Sequence, residues 1–239
     1  MNKQTPTTRE SYIEQIWQTY RLVEVLADKN GCQTLRVRHK TLGRDLVVHS
    51  LPKPIAAYET LVRLQSPHLP LIYDAVTLDD GQIVWEEFLD GMTVADVMES
   101  GLYRYRGAKR VVSAVCDALS ILHRRGFVHR DVKPENVMVD KNGRTTLIDF
   151  NASRKTTAGR RDTEVLGTIG YASPEQMGIA SSDARADVYA VGVLLNVMLT
   201  GRHPSDQMAA GRAGRIVRRC THVNPNDRYP SVDKLKKAL

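Results

Sequence analysis

A chain of 239 residues, 42% of them hydrophobic and 26% charged, can bury one substantial core or two small lobes sharing a cleft, and it should fold alone. The net charge of +7 favours anionic partners, but no basic run exceeds a few residues and aromatics make up only 6%, so a solvated basic surface is expected rather than a nucleic-acid partner. Cys32, Cys116 and Cys220 lack CxxC or metal-ligand spacing, which argues against a disulfide framework and for a reducing, cytoplasmic setting; the polar start and the short apolar run Val188 to Leu199 argue against a signal peptide or a membrane span.

In chain order, three strand-like runs come first, Tyr20 to Ala27, Gln33 to His39 and Leu46 to Leu51, punctuated by Lys29-Asn30-Gly31 and Leu42-Gly43-Arg44. Pro54 opens a helical pattern with Ala57, Leu61 and Leu64 on one stripe. Strands follow over Leu69 to Leu78 and Gln82 to Phe88, separated by Asp79-Asp80-Gly81. One helix on five antiparallel strands is an α+β lobe. After Leu89-Asp90-Gly91 helical patterns dominate, over Thr93 to Ser100, Ala108 to Arg125 and Asp187 to Leu199. The expected division is an N-terminal extension over 1–19, a strand-rich lobe over 20–88 and a helical lobe over 89–239, with a small-molecule site in the cleft between lobes.

The densest polar cluster is His129-Arg130-Asp131-Val132-Lys133-Pro134-Glu135-Asn136, followed after an apolar run by Asp149-Phe150-Asn151. Phosphoryl transfer needs a carboxylate to orient a hydroxyl, oxygen ligands for magnesium and a cation near the transferred group. Asp131, the pair Asn136 and Asp149, and Lys133 supply these in turn. The bland alternative is a polar surface loop with a capping Asp, and four matched chemical types at set spacings weigh against it.

These motifs resemble those of the protein kinase superfamily, from about Tyr20 to the C-terminus. HRDVKPEN is similar to the catalytic loop of its serine/threonine members, Gly167-Thr168-Ile169-Gly170-Tyr171 and Ser173-Pro174-Glu175 to the end of an activation segment, and DARADVYAVGVLLNVMLTG to bacterial members. The resemblance implies a bilobal kinase fold. It implies Asp131, Lys133 and Thr168 as catalytic residues, Asn136 and Asp149 as metal ligands, and Asn136 with Ala27, Lys29, His49, Glu86 and Phe88 at the nucleotide. ATP with magnesium or manganese would be the cofactors, and a protein substrate or signalling partner the other reactant. It also implies a buried Glu175–Arg228 pair, Asp187 as an anchor of the catalytic-loop backbone, and Arg130 as the partner of a phosphorylated Thr156, Thr157 or Thr163.

The first half departs from the family. Ala27, Lys29 and Cys32 stand where three glycines of the phosphate loop belong, and His49 stands where Val-Ala-Ile-Lys carries its lysine. Ala57 falls at the glutamate that pairs with that lysine, and Glu59, about 200° further round a helix, points elsewhere. Asn151 replaces the glycine after Asp149-Phe150. Trp85, before the hinge Glu86-Glu87-Phe88, is expected to close the pocket behind adenine, and the segment from Pro204 to Cys220 is short enough to lack a substrate-docking helix. Lys29, Arg36 and Arg38 are the cations available to replace the lysine. Two main readings follow: a slow or atypical serine/threonine protein kinase, and a pseudokinase that binds nucleotide or scaffolds partners. A small-molecule phosphotransferase ranks behind both, having no need of Gly167 to Glu175.

Overall fold

Thr8 starts the first helix by accepting the Ser11 N–H at 3.3 Å, while Ser11 Oγ accepts the Thr8 N–H at 3.2 Å, so each residue satisfies a backbone donor of the other. The computed structural model describes residues 6–156, 168, 170–177 and 183–239. They divide into two units, one running to Ser66 and including Pro70–Leu89, the other comprising Pro67–Leu69 and Asp90–Leu239.

In the first unit, α1 (Arg9–Ile16) precedes β1 (Tyr20–Lys29), β2 (Cys32–His39), β3 (Asp45–Leu51), α2 (Ala56–Leu61), β4 (Ile72–Leu78) and β5 (Gly81–Glu87). The strands form one antiparallel sheet in the order β1-β2-β3-β5-β4. Asn30 and Gly31, at φ 54° and 75°, make the two-residue turn between β1 and β2, a geometry that suits the twist of paired strands. Strand alternation sends Leu35, Val37, Val48 and Ile83 to one face, where they bury Ile16 of α1 with Tyr12, Ile13 and Trp17 packed around them. His49 and Glu86 take the other face, with Tyr58 of α2.

The unit therefore carries a helix on each face rather than one in all. The stripe Tyr12, Ile13, Ile16 and Trp17, at helical spacing, packs α1 against the sheet. The helix after Pro54 is also shorter than its periodicity suggests. Ala57 and Leu61 are buried, but Val62 leaves the helix to bridge Ile72, Arg63 turns left-handed at φ 58°, and its N–H bonds the Ile72 carbonyl at 2.7 Å. Leu64 lies beyond that turn.

The second unit contains β6 (Gly91–Thr93), α3 (Val94–Glu99), α4 (Tyr105–Arg124), β7 (Phe127–Val128), β8 (Val137–Asp140), β9 (Thr145–Leu147), β10 (Arg154–Lys155), α5 (Ala184–Thr200), α6 (Gly211–Cys220) and α7 (Val232–Ala238). Strands β6, β8 and β9 form one small sheet and β7 with β10 another. Both bracket the loop after β7, which carries the polar cluster. Helix α5 is apolar on nearly every side and runs through the core, flanked by α4, α6 and α7. Asp183 caps its start, accepting the Arg185 N–H at 2.8 Å, and Gly201 ends it at φ 69°. Between Pro204 and Cys220 a single helix forms, α6.

Cys116 and Cys220 are buried, and burial pushes both thiols far up; Cys32 is half-buried, and none of the three is in a disulfide. Among the described residues, no helix is long and apolar enough to cross a membrane. The result is an α+β fold, a strand-rich unit followed by a mainly helical one.

Candidate active site

The polar loop is held first by its backbone. Asp187, at the start of α5 and without solvent exposure, accepts the N–H groups of His129 at 2.9 Å and Arg130 at 2.8 Å, and His123 Nε2 lies 2.7 Å from it. Burial alone would raise the Asp187 pKa, but the bond from His123 and the nearby histidines outweigh it and hold the carboxyl below its ordinary range. The Arg130 carbonyl takes a bond from Gln176 Nε2 at 2.9 Å, while Gln176 Oε1 accepts from the backbone and hydroxyl of Ser173, both at 3.1 Å. Arg130 itself is 2% exposed and left-handed at φ 70°. A residue held in that region signals a loop fixed by its surroundings.

On this support four side chains converge. Asp131 Oδ1 accepts the Thr168 hydroxyl at 2.7 Å and the Thr168 N–H at 3.2 Å. Lys133 Nζ lies 2.8 Å from Asp131 Oδ2 and donates to Thr168 Oγ1 at 2.7 Å. Asn136 Nδ2 donates to the Asp131 carbonyl at 2.8 Å and to Oδ2 at 2.9 Å. Burial works to raise the Asp131 pKa, but Lys133 and Thr168 prevail and lower it, so Asp131 stays ionised.

Asn136 spends its amide N–H groups on Asp131, which leaves its carbonyl oxygen as the ligand-type atom. Its backbone carbonyl accepts the Ile148 N–H at 2.9 Å, tying the loop to the segment that ends in Asp149. Asp149 is left-handed at φ 63°, and its Oδ1 accepts the Asn151 N–H at 3.0 Å. Asn151 is not among the left-handed residues, so asparagine is accommodated there without strain. An amide oxygen and a carboxylate are hard donors suited to magnesium or manganese, and no cluster of three or more His, Cys, Asp or Glu occurs among the described residues to suggest another metal.

The ion pair Glu175–Arg228 is bidentate, at 2.6 and 2.8 Å, and Arg228 also donates to the carbonyls of His222, Arg185 and Val223. Thr156 donates its hydroxyl to the Gly126 carbonyl at 2.7 Å. Thr157, Thr163, Gly167 and Ile169 lie outside the described residues.

The nucleotide-type residues of the first unit are arranged differently from the family pattern. His49, 6% exposed, has Thr34 Oγ1 3.1 Å from Nδ1 and Glu86 Oε2 3.3 Å from Nε2, so both ring nitrogens have partners. Its ring sits 5.6 Å from that of Tyr58. Ala57 is buried one position before Tyr58, while Glu59 accepts from Thr77 at 3.0 Å and from Gln82 at 3.2 Å, away from His49. Ala27 and Lys29 lie in β1, paired with Thr34 and Cys32 in a hairpin that closes on Asn30-Gly31. Neither position has the glycine that lets a backbone approach a phosphate closely.

Arg36 and Arg38 both bind Asp45, Arg36 at 2.6 Å, and these bonds, led by the one from Arg38, bring the Asp45 pKa down to about 2. The Arg36 guanidinium also lies 4.0 Å over the Phe88 ring. Of the three candidate replacement cations, two are thus engaged with Asp45.

Trp85 requires a correction. Its side chain lies on the α1 face, where Nε1 donates to Tyr12 Oη at 3.1 Å, and its neighbour Glu86 is the residue on the His49 face. Strand alternation makes the two mutually exclusive on one face, so Glu86 and not Trp85 stands beside His49. Sequence reading also missed Gln176, Thr34 and Asp45, whose partners are distant or ambiguous in sequence.

A family profile described as the protein kinase domain matches residues 49–238. Serine/threonine-protein kinase PknB of Mycolicibacterium smegmatis is 34% identical over 175 residues, which cover 71% of this chain and 26% of the relative. A probable serine/threonine-protein kinase of Corynebacterium efficiens is 37% identical over 152 residues, covering 59% of this chain and 23% of the relative. The chain thus spans about a quarter of the length of these relatives.

Proposed function

The chain belongs to the protein kinase family, and from that premise we propose that it transfers a phosphoryl group from ATP to a serine or threonine hydroxyl of a protein substrate, at a slow or atypical rate. The observation that carries this reading is the four-residue arrangement of Asp131, Lys133, Asn136 and Thr168. Asp131, kept ionised, orients the attacking hydroxyl and receives its proton. Thr168 fixes the Asp131 carboxylate and bridges it to Lys133, whose ammonium stands near the group in transit. Asn136 and Asp149 would hold magnesium or manganese, which when bound neutralises phosphate charge and aligns the leaving group. In this reading residues 89–239 carry the transfer chemistry and 20–88 the nucleotide-facing strands.

The rate follows from His49. Loss of one preorganised charged donor costs on the order of 3 to 4 kcal/mol in the barrier, roughly a hundred- to a thousandfold. A second reading, a pseudokinase that holds nucleotide or partners without catalysis, is favoured by the capture of His49 between Thr34 and Glu86. The deciding experiment follows radiolabelled phosphate from ATP, with magnesium or manganese, onto a basic protein substrate and onto the chain itself. Transfer by the wild type that disappears in Asp131→Asn supports the enzyme. No transfer by the wild type, with ATP nevertheless bound, favours the pseudokinase.

A further inference from the structure

Trp85, turned away from His49, forms one wall of a cavity of about 390 Å³ that lies wholly within the first unit. That is a volume in the range of small-molecule sites. The Tyr20 ring stands 5.0 Å from that of Trp85 at 48°, and 5.1 Å from that of His39 at 77°. Tyr73 supplies a further ring, with the Arg44 guanidinium 5.3 Å from its centroid. The Tyr20 and Trp85 rings pack on each other, and with the half-buried Tyr73 ring they give the cavity an aromatic lining against which something flat could lie.

The polar groups decide its charge. Arg44 gives one hydrogen bond, to Tyr73 Oη at 2.5 Å, and forms no ion pair among the described residues, so most of its donors remain available. His39 Nδ1 accepts the N–H groups of Thr41 at 3.2 Å and Leu42 at 3.1 Å, and that network puts the ring hydrogen on Nε2, a second donor. Asp74 is the lone acid of the lining, and its Oδ1 already accepts the Ala75 N–H at 2.9 Å.

We infer that this cavity binds a planar aromatic carboxylate, its ring among Tyr20, Tyr73 and Trp85 and its carboxylate on Arg44. A guanidinium matches a carboxylate in shape as well as charge. This site is separate from the phosphoryl-transfer residues and is tested by binding alone.

The test is an NMR titration of the ¹⁵N-labelled full chain, whose two tryptophans, Trp17 and Trp85, give two indole N–H signals. The probes are indole-3-acetate and tryptamine, which share a ring and carry opposite charges. Indole-3-acetate should shift the Trp85 signal saturably with a dissociation constant on the order of 100 µM, and tryptamine should bind at least about tenfold more weakly. Arg44→Gln should weaken indole-3-acetate about tenfold or more, and Arg218→Gln, an exposed change in the second unit, should leave it unaltered. Absence of a saturable shift, tryptamine binding as well as the acid, or Arg44→Gln without effect would each overturn the inference.

Discussion

His123 reaches Asp187 at 2.7 Å, and through Asp187 it bears on the two backbone N–H groups that hold the catalytic-type loop. The folded Asp187 pKa lies below its ordinary value of about 3.9, so its contribution to stability is complete above the carboxylate range and is lost as pH falls through the folded value. Asp131 shifts in the same direction and follows the same sign. Asp187→Asn should lower stability at pH 7 by about 2 to 4 kcal/mol and flatten the acid limb of the stability curve. Urea titrations from pH 3 to 7 check both; an unchanged acid limb would remove Asp187 from this role.

The Glu175–Arg228 pair should show strong one-sided sensitivity. Glu175→Gln leaves a buried guanidinium without its anion and should cost about 3 to 5 kcal/mol. Arg228→Lys should cost nearly as much, because lysine cannot fork to two carboxylate oxygens while also meeting three carbonyls. Urea midpoints for the single variants would refute this if Arg228→Lys proved near wild type.

Helix glycines usually invite stabilisation by alanine, and two positions here should do the reverse. A Cβ on Gly214 would lie 1.9 Å from the Ala209 carbonyl oxygen, and one on Gly192 would lie 2.3 Å from Cys220 Cβ. Gly192→Ala and Gly214→Ala should each destabilise by about 1 to 3 kcal/mol, despite the gain of about 1 kcal/mol in helix propensity. Thermal unfolding of the two variants gives the sign directly.

Restoring a lysine at position 49 should help less than expected while Glu86 remains. In His49→Lys the ammonium meets the Glu86 carboxylate, 3.3 Å from Nε2 in the wild type, and stays paired with it. His49→Lys with Glu86→Met should transfer phosphate at least about tenfold faster than His49→Lys alone. Equal rates for the two variants would mean that Glu86 does not hold the cation.

Much of this site is written locally. Asp131, Lys133 and Asn136 lie within one loop, and the structure brings them together with Thr168. The strands were legible because alternation of apolar residues fixes which face each covers. What sequence did not reveal depends on partners far along the chain or on a single-residue register. His49 and Glu86 are 37 residues apart, and shifting the reading by one residue exchanges Glu86 for Trp85. Helix α1 escaped notice because its eight residues carry only a short apolar stripe, whose meaning appears once the sheet face beneath it exists. The abrupt end of α2 has a similar origin, since Val62 leaves the helix to pair with a strand ten positions on.

The burial of two of the three cysteines gives the fold a chemical reporter. Only a thiolate attacks an alkylating reagent, and Cys116 and Cys220 are both shielded and held protonated, whereas Cys32 lies half-exposed where the β1–β2 hairpin closes. Iodoacetamide should therefore add one group per native chain and three after denaturation, and a dye attached at Cys32 would report on the hairpin from a single known position.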